Sequence, residues 1–184
     1  MKLARRGQIS LEFMLVFGIM LILMLYSVNN VTFRNGSTAT KTLGVQILLE
    51  GKNLANSIAG SVAQVYSQGP GSKVTTYTSV TYLAEPEYLK KAFNSTKVNI
   101  GLSNDEVRVW VGTQMITQGA DKNTATTSAP YTPSSVVLSF PQGLPAKNVK
   151  IVVEWNPDRA EGMSSKVSNG YLEIDININP GGGS

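Results

Sequence analysis

The apolar positions divide the chain into three regimes. From Phe13 to Val28 apolar side chains follow one another without a period, interrupted only by Gly18 and Ser27. A helix apolar on every side belongs in a core or a membrane, not in water. From Leu43 onward the pattern changes to Leu43, Ile47, Leu54, Ile58, Val62 and Val65, mostly three, four or seven residues apart. That spacing predicts an amphipathic helix over 43–66 whose stripe packs on its own globular domain. Between the two lies the polar stretch 29–41, where Asn35-Gly36 is expected to bend or locally melt the helix. Uninterrupted, Gln8 to Tyr66 would measure about 88 Å at ~1.5 Å per residue.

After the breaker S-Q-G-P-G-S at 67–72 the period becomes strand-like. Strands are predicted at 74–83, 98–102, 107–117, 136–140, 149–155 and 171–178. The last alternates Leu172, Ile174, Ile176 and Ile178 on one face with Glu173, Asp175 and Asn177 on the other. Pro86 to Phe93 reads as one short helix, with Pro at its start and Leu89 and Phe93 four apart. The fold class is therefore α+β: a long N-terminal hydrophobic helix over 8–66, then an antiparallel β-rich globular domain over 73–179. Its sheet either folds over the helix or forms a small sandwich. Residues 118–135, rich in Thr, Ser, Ala and Pro, read as a long exposed loop. Residues 180–184 read as a flexible tail.

What precedes the apolar run decides its use. Lys2, Arg5 and Arg6 form a basic head ending at Gly7, and Gln8-Ile9-Ser10-Leu11-Glu12 follows. A classical secretory signal fits poorly, because residues 25–30 offer no small-residue cleavage site. A plain anchor fits in part. Phe13 to Val28 gives about 24 Å of helix, short of a ~30 Å bilayer core, whereas a start at Gln8 spans it. The basic flank keeps the N-terminus cytoplasmic, but a carboxylate at Glu12 one turn inside the membrane is then costly and unexplained. Cleavage after Gly7 accounts for both features. It removes the basic residues and creates an α-amino group at Gln8, four residues before Glu12. In an axially staggered stack of helices, Glu12 of one copy can meet the amine of the next, each neutralising the other in an apolar core.

The spacing Gln8, Ser10, Glu12 resembles the class III signal peptide of archaeal type IV-like pilins, whose consensus runs Q-x-S-x-E-x-x-x-L after the cut. Val16 stands at the last position, with Leu15 beside it. The resemblance covers about residues 1–30. It implies a leader of residues 1–7 cut between Gly7 and Gln8 by a membrane-embedded prepilin peptidase. It also implies partners in an assembly ATPase with its membrane platform. The filament core would be built from Phe13, Leu15, Val16, Phe17, Ile19, Met20, Ile22 and Leu23.

Charge sharpens this picture. The 16 basic and 12 acidic side chains give +4, but Lys2, Arg5 and Arg6 precede Gly7. Beyond it 13 basic and 12 acidic remain, a net of +1, and Lys90-Lys91 is the only adjacent basic pair. Specific nucleic-acid binding needs a clustered basic face and is not expected. With no Cys and no His in these residues, disulfides, thiolate metal sites and imidazole or thiol catalysis are excluded within them. No cofactor is expected.

Other candidates have ordinary readings. Glu173 and Asp175 could hold a hard cation such as Ca²⁺, but solvent-facing acids on an alternating strand are commoner, and no metal is expected. Asp158 and Glu161 could pair for glycoside chemistry, though a charged turn is the better reading. Tyr66, Tyr77, Tyr82, Tyr88 and Trp110 at strand spacing read as core or subunit contacts, with no adhesion role. Three N-x-S/T sequons stand at Asn94, Asn35 and Asn30, with Asn94 favoured by its place after the short helix.

The expected function is that of a structural filament subunit and not an enzyme. It would be a membrane-held precursor that becomes an extracellular homopolymer supporting surface adhesion. One alternative is a membrane-anchored binding module, or a minor pilin outside the filament body. A secreted carboxylate hydrolase is another.

Overall fold

A computed structural model describes residues 3–32, 38–133 and 135–181, with side chains for 13–28 and from Ala39 onward. The chain divides into two compact units, Met1–Thr42 and Leu43–Ser184. The first contains α1 (Leu3–Thr32), the continuous helix expected from the apolar run. The second helix, α2 (Thr38–Gln68), begins before Leu43. Residues 33–37, including Asn35-Gly36, lie outside the described residues, and with them the predicted interruption of the helix.

The second unit is the β-rich part of an α+β fold. In chain order it contains β1 (Lys73–Ser79), α3 (Pro86–Phe93), β2 (Val98–Ser103), β3 (Glu106–Val111) and β4 (Thr124–Ser128). β5 (Val136–Phe140), β6 (Asn148–Trp155), β7 (Gly162–Ser168) and β8 (Tyr171–Ile178) complete it. They form two four-stranded sheets, β1-β6-β8-β7 (sheet A) and β4-β3-β2-β5 (sheet B). Every pairing is antiparallel except β6 with β8. The parallel pair arises because the chain leaves β6, forms β7 at the far edge and returns through β8 into the gap. Asn169-Gly170 turns the β7–β8 hairpin with φ of 53° and 79° at the two positions, the left-handed pair that a two-residue hairpin demands.

The stripe of α2 closes the core. Ile47, Leu54, Ile58, Val62 and Val65 are fully buried, in one cluster with residues of both sheets. At Gly51 the helix comes so close to sheet B that an added Cβ would touch Val109 Cγ1 at 3.4 Å and Ala125 Cβ at 3.6 Å. Further along, the Ser61 and Thr76 hydroxyls bond at 2.8 Å and tie the same helix to sheet A. Glu50 turns back over the chain after β1, its carboxylate accepting from the N–H groups of Thr81 and Leu83.

Two strands were not legible. β7 is Ser-rich and largely exposed, so nothing marks it as sheet. β4 lies inside the stretch expected to be a long loop. Its Thr/Ala composition reads as loop, yet Thr124 and Ala125 are buried beneath Trp110 and Val109 in register. Predicted strand 107–117 ends at Val111, because Gly112 takes φ of 102°. Predicted strand 74–83 ends at Ser79. Of the tail, residues 182–184 lie outside the described residues.

Asn177 departs from its expected solvent face. It is fully buried, and its amide nitrogen reaches the carbonyls of Asn156, Arg159 and Ala160 at 3.1, 2.7 and 3.2 Å. Its oxygen accepts the Asn156 N–H at 3.0 Å. The side chain thus supplies hydrogen-bond partners to the irregular 156–160 crossover. Asn177→Ala is expected to cost about 3 kcal/mol, because all the hydrogen bonds of one buried amide to the crossover are lost together. A lowered urea midpoint of the detergent-solubilised chain, at unchanged slope, would show it.

Candidate processing and assembly segment

The apolar run of α1 has no hidden face. Fourteen large apolar side chains between Phe13 and Val28 are 45 to 75% exposed. All eight expected core residues belong to this set: Phe13, Leu15, Val16, Phe17, Ile19, Met20, Ile22 and Leu23. Phe13 and Phe17, one turn apart, stack with ring centroids 6.3 Å apart. Gly18 has nothing within 4 Å of the position a Cβ would take, so it leaves a notch on the helix surface. Covering such a surface is worth ~1.5–3 kcal/mol per large side chain, on the order of 20 kcal/mol here. That exceeds the ~5–15 kcal/mol by which a domain is usually stable. The segment is therefore built to be covered by something outside its own unit.

Among the described residues no helix is long and apolar enough to cross a membrane. Phe13 to Val28 falls short by itself, and a span counted from Gln8 draws on side chains outside the described ones. The backbone of Gly7, Gln8, Ser10 and Glu12 lies within α1, so the expected cleavage point and the expected acid share one helix with the apolar run. Their side chains, and any pairing between Gln8 and Glu12, are outside the described residues.

The family model for the class III signal peptide matches residues 5–31. This segment is a class III signal peptide. It spans the end of the basic head, the Gly7–Gln8 junction and the whole apolar run, and it indicates a type IV pilin-like precursor. Neither the curated proteins nor the solved structures yield a match to the chain.

Elsewhere in the chain the candidate acids Glu173 and Asp175 are already partnered. Register places Tyr77, Lys150, Glu173 and Lys166 side by side across sheet A, and Glu173 pairs with both Lys150 and Lys166 at 3.2 Å. Lys150 foremost holds the Glu173 carboxyl below its usual range. Arg159 bridges Glu154 at 2.6 Å and Asp175 at 3.0 Å, holding the Glu154 carboxyl low in the same way. No group of three metal-ligating side chains occurs among the described residues. Asp158 and Glu161 do not act as a pair. The Asp158 N–H caps onto Asn156 Oδ1 at 3.0 Å, and Glu161 accepts the Tyr131 hydroxyl and, at 2.8 Å, the Asn179 N–H.

The aromatic residues fall into separate contacts. Tyr66 stacks on Tyr131 and on Trp155, with centroids 6.2 and 6.0 Å apart, and Tyr77 meets Tyr171 edge-on, as Tyr82 meets Tyr88. Of the sequons, Asn94 is exposed at the end of α3 in the left-handed conformation, φ 52°, its N–H bonded to the Lys90 carbonyl at 2.9 Å. Asn35, and the side chain of Asn30, lie outside the described residues.

The Tyr131–Glu161 bond gives the second unit a testable alkaline limit. Burial first, and the Glu161 carboxylate second, push the Tyr131 hydroxyl from 10.0 up to about 12. A folded-state pKa above the unfolded one stabilises fully below the unfolded value and is lost as pH rises through the folded one. Stability measured by urea unfolding should therefore fall between pH 10 and 12, and Tyr131→Phe should flatten that part of the profile.

Proposed function

We propose that the protein is the structural subunit of an archaeal type IV-like pilus. α1 holds the precursor in the cytoplasmic membrane, with residues 1–7 inside. A prepilin peptidase cuts after Gly7, and an assembly ATPase with its membrane platform draws the mature chain into a helical homopolymer at the cell surface. The observation that carries this reading is the all-round exposed apolar surface from Phe13 to Val28, placed directly behind the processing motif. Lipid covers that surface before extraction and the α1 helices of neighbouring copies cover it afterwards, so its burial is roughly conserved on transfer. Glu12 then supplies register by pairing with the Gln8 amine of a neighbour. The β-rich unit clothes the filament and supports adhesion. Its role is structural and recognitive, not enzymatic, and the near-neutral mature surface argues against nucleic acid as a partner.

Mass spectrometry of assembled filaments tests the central step. The mature chain should begin at Gln8, with free amine or pyroglutamate distinguished by a 17 Da difference from the known chemistry of glutamine cyclisation (~17 Da on loss of ammonia). Residues 2–6 still attached to assembled protein would sink the reading. Glu12→Gln should leave membrane insertion intact and reduce filament number at least about tenfold, since an uncompensated buried amine is costly. Normal filament numbers in that variant would favour a membrane-anchored binding module or a minor pilin.

Exposure of Asn94 supports it as the sequon to carry glycan. Glycopeptide mapping of native filaments should find the added mass on the peptide containing Asn94, and Asn94→Gln should remove it.

A further inference from the structure

The outer face of sheet B carries an open groove of about 720 Å³, within the ~300–1,000 Å³ typical of small-molecule sites. Its lining comes from β2, β3, β5 and the segments beside them. Trp110 lies against Gly101, where an added Cβ would sit 3.0 Å from the indole Cζ3. A glycine in mid-strand is what permits that close approach. Trp110 is 7% exposed, and its Nε1–H is the one buried side-chain polar atom without a hydrogen-bond partner among the described residues. Buried donors are rarely left unpaired in folded proteins.

The remaining lining tells what acceptor would suit it. Val137 and Met115, each about half exposed, give apolar contact. Asp105 and Ser103 give acceptors and a hydroxyl. Arg108 is closed into an ion pair with Glu106 at 2.6 Å, so the groove offers no free cation to attract an anion. An extended peptide would need a free sheet edge, and the edge of β5 is approached by β7 of the other sheet. Carboxylate acceptors at Asp105 and Glu161, no free cation, and half-exposed apolar contacts describe the complement of a neutral sugar, whose hydroxyls donate and accept while its C–H faces pack on apolar groups.

We propose that this groove binds a short neutral saccharide, one hydroxyl of which accepts from Trp110 Nε1–H. The N–H is covered, so the ligand reaches it by displacing a lining side chain, and Met115 is unbranched and adaptable. The proposal deepens the adhesion part of the filament reading and rests on it for its cellular role. Binding itself lies within the second unit and needs no polymer.

The test is an array of neutral di- and trisaccharides of glucose, galactose, mannose and N-acetylglucosamine, probed with the labelled full-length chain in detergent. The best binder is then titrated by tryptophan fluorescence. Val137→Arg, on an exposed strand position, should reduce affinity more than tenfold by filling the groove. Trp110→Phe should weaken binding about five- to tenfold, the worth of one neutral hydrogen bond, while raising the Tm of the unliganded chain because the orphan donor is gone. No saccharide retained, binding unchanged by Val137→Arg, or retention of charged peptides alone would overturn the proposal. Filament counts on the same variants separate the two readings. Normal filaments with lost sugar binding support the groove, whereas an absence of filaments from the parent chain would sink the filament reading and leave the sugar titration standing.

Discussion

Much in this molecule follows from an apolar helix that nothing in its own unit covers. The fourteen side chains from Phe13 to Val28 stand in the open on every side of α1, and leaving them in water costs more than a typical domain has to spare. Meanwhile the second unit completes a core of its own, with Ile47, Leu54, Ile58, Val62 and Val65 of α2 fully buried in one cluster with both sheets and Leu43 partly buried against it. The protein is thus built as two bodies with opposite requirements. One is finished when it folds; the other is finished only when lipid or further helices surround it.

The finished body draws its stability from packing and from polar groups that hold irregular chain in place. With no cysteine available, no disulfide can staple its crossovers. Asn177 performs that task for residues 156–160, Glu50 for the chain after β1, and Glu161 for the meeting of Tyr131 with Asn179. The acids that stand on sheet A are spent on nearby cations: Glu154 and Asp175 on Arg159 of the crossover, Glu173 on Lys150 and Lys166 of the adjacent strands. A row of alternating charge across adjacent strands also gives the open face of the sheet a defined register.

The division into apolar helix, amphipathic helix and strands was legible because each carries its own period. The alternation of 171–178 and the cap-like Pro86 located β8 and α3 to the residue. What escaped was composed of residues whose role is set by distant partners. β4 and β7 have Thr, Ser and Ala where a strand signal wants branched apolar residues, and only their neighbours make them strands. Asn177 sits at an alternating outward position, and only the crossover folding back over it makes that position buried. The groove was illegible for the same reason: Gly101, Trp110 and Val137 carry no pattern until three strands place them together. The processing motif is the opposite case. It is contiguous, so its resemblance to the class III signal peptide could be recognised from the residues as they stand.

The distribution of charge bears on why a leader is worth removing at all. Before cleavage each copy carries +4, with Lys2, Arg5 and Arg6 at the end of the very helix that must be packed among its neighbours. In a polymer that charge would recur along the axis, in a core too apolar to screen it. Under the proposed function those residues would help to insert the precursor the right way round, and would hinder it once the destination is a stack of helices. Cutting at Gly7 leaves 13 basic and 12 acidic side chains, a net of +1, and replaces three cations at the helix end with a single amine that one carboxylate can neutralise. In the proposed pilus Glu12 would be matched to the chain as it stands after the cut, not before it, so that processing and assembly would draw on the same five residues.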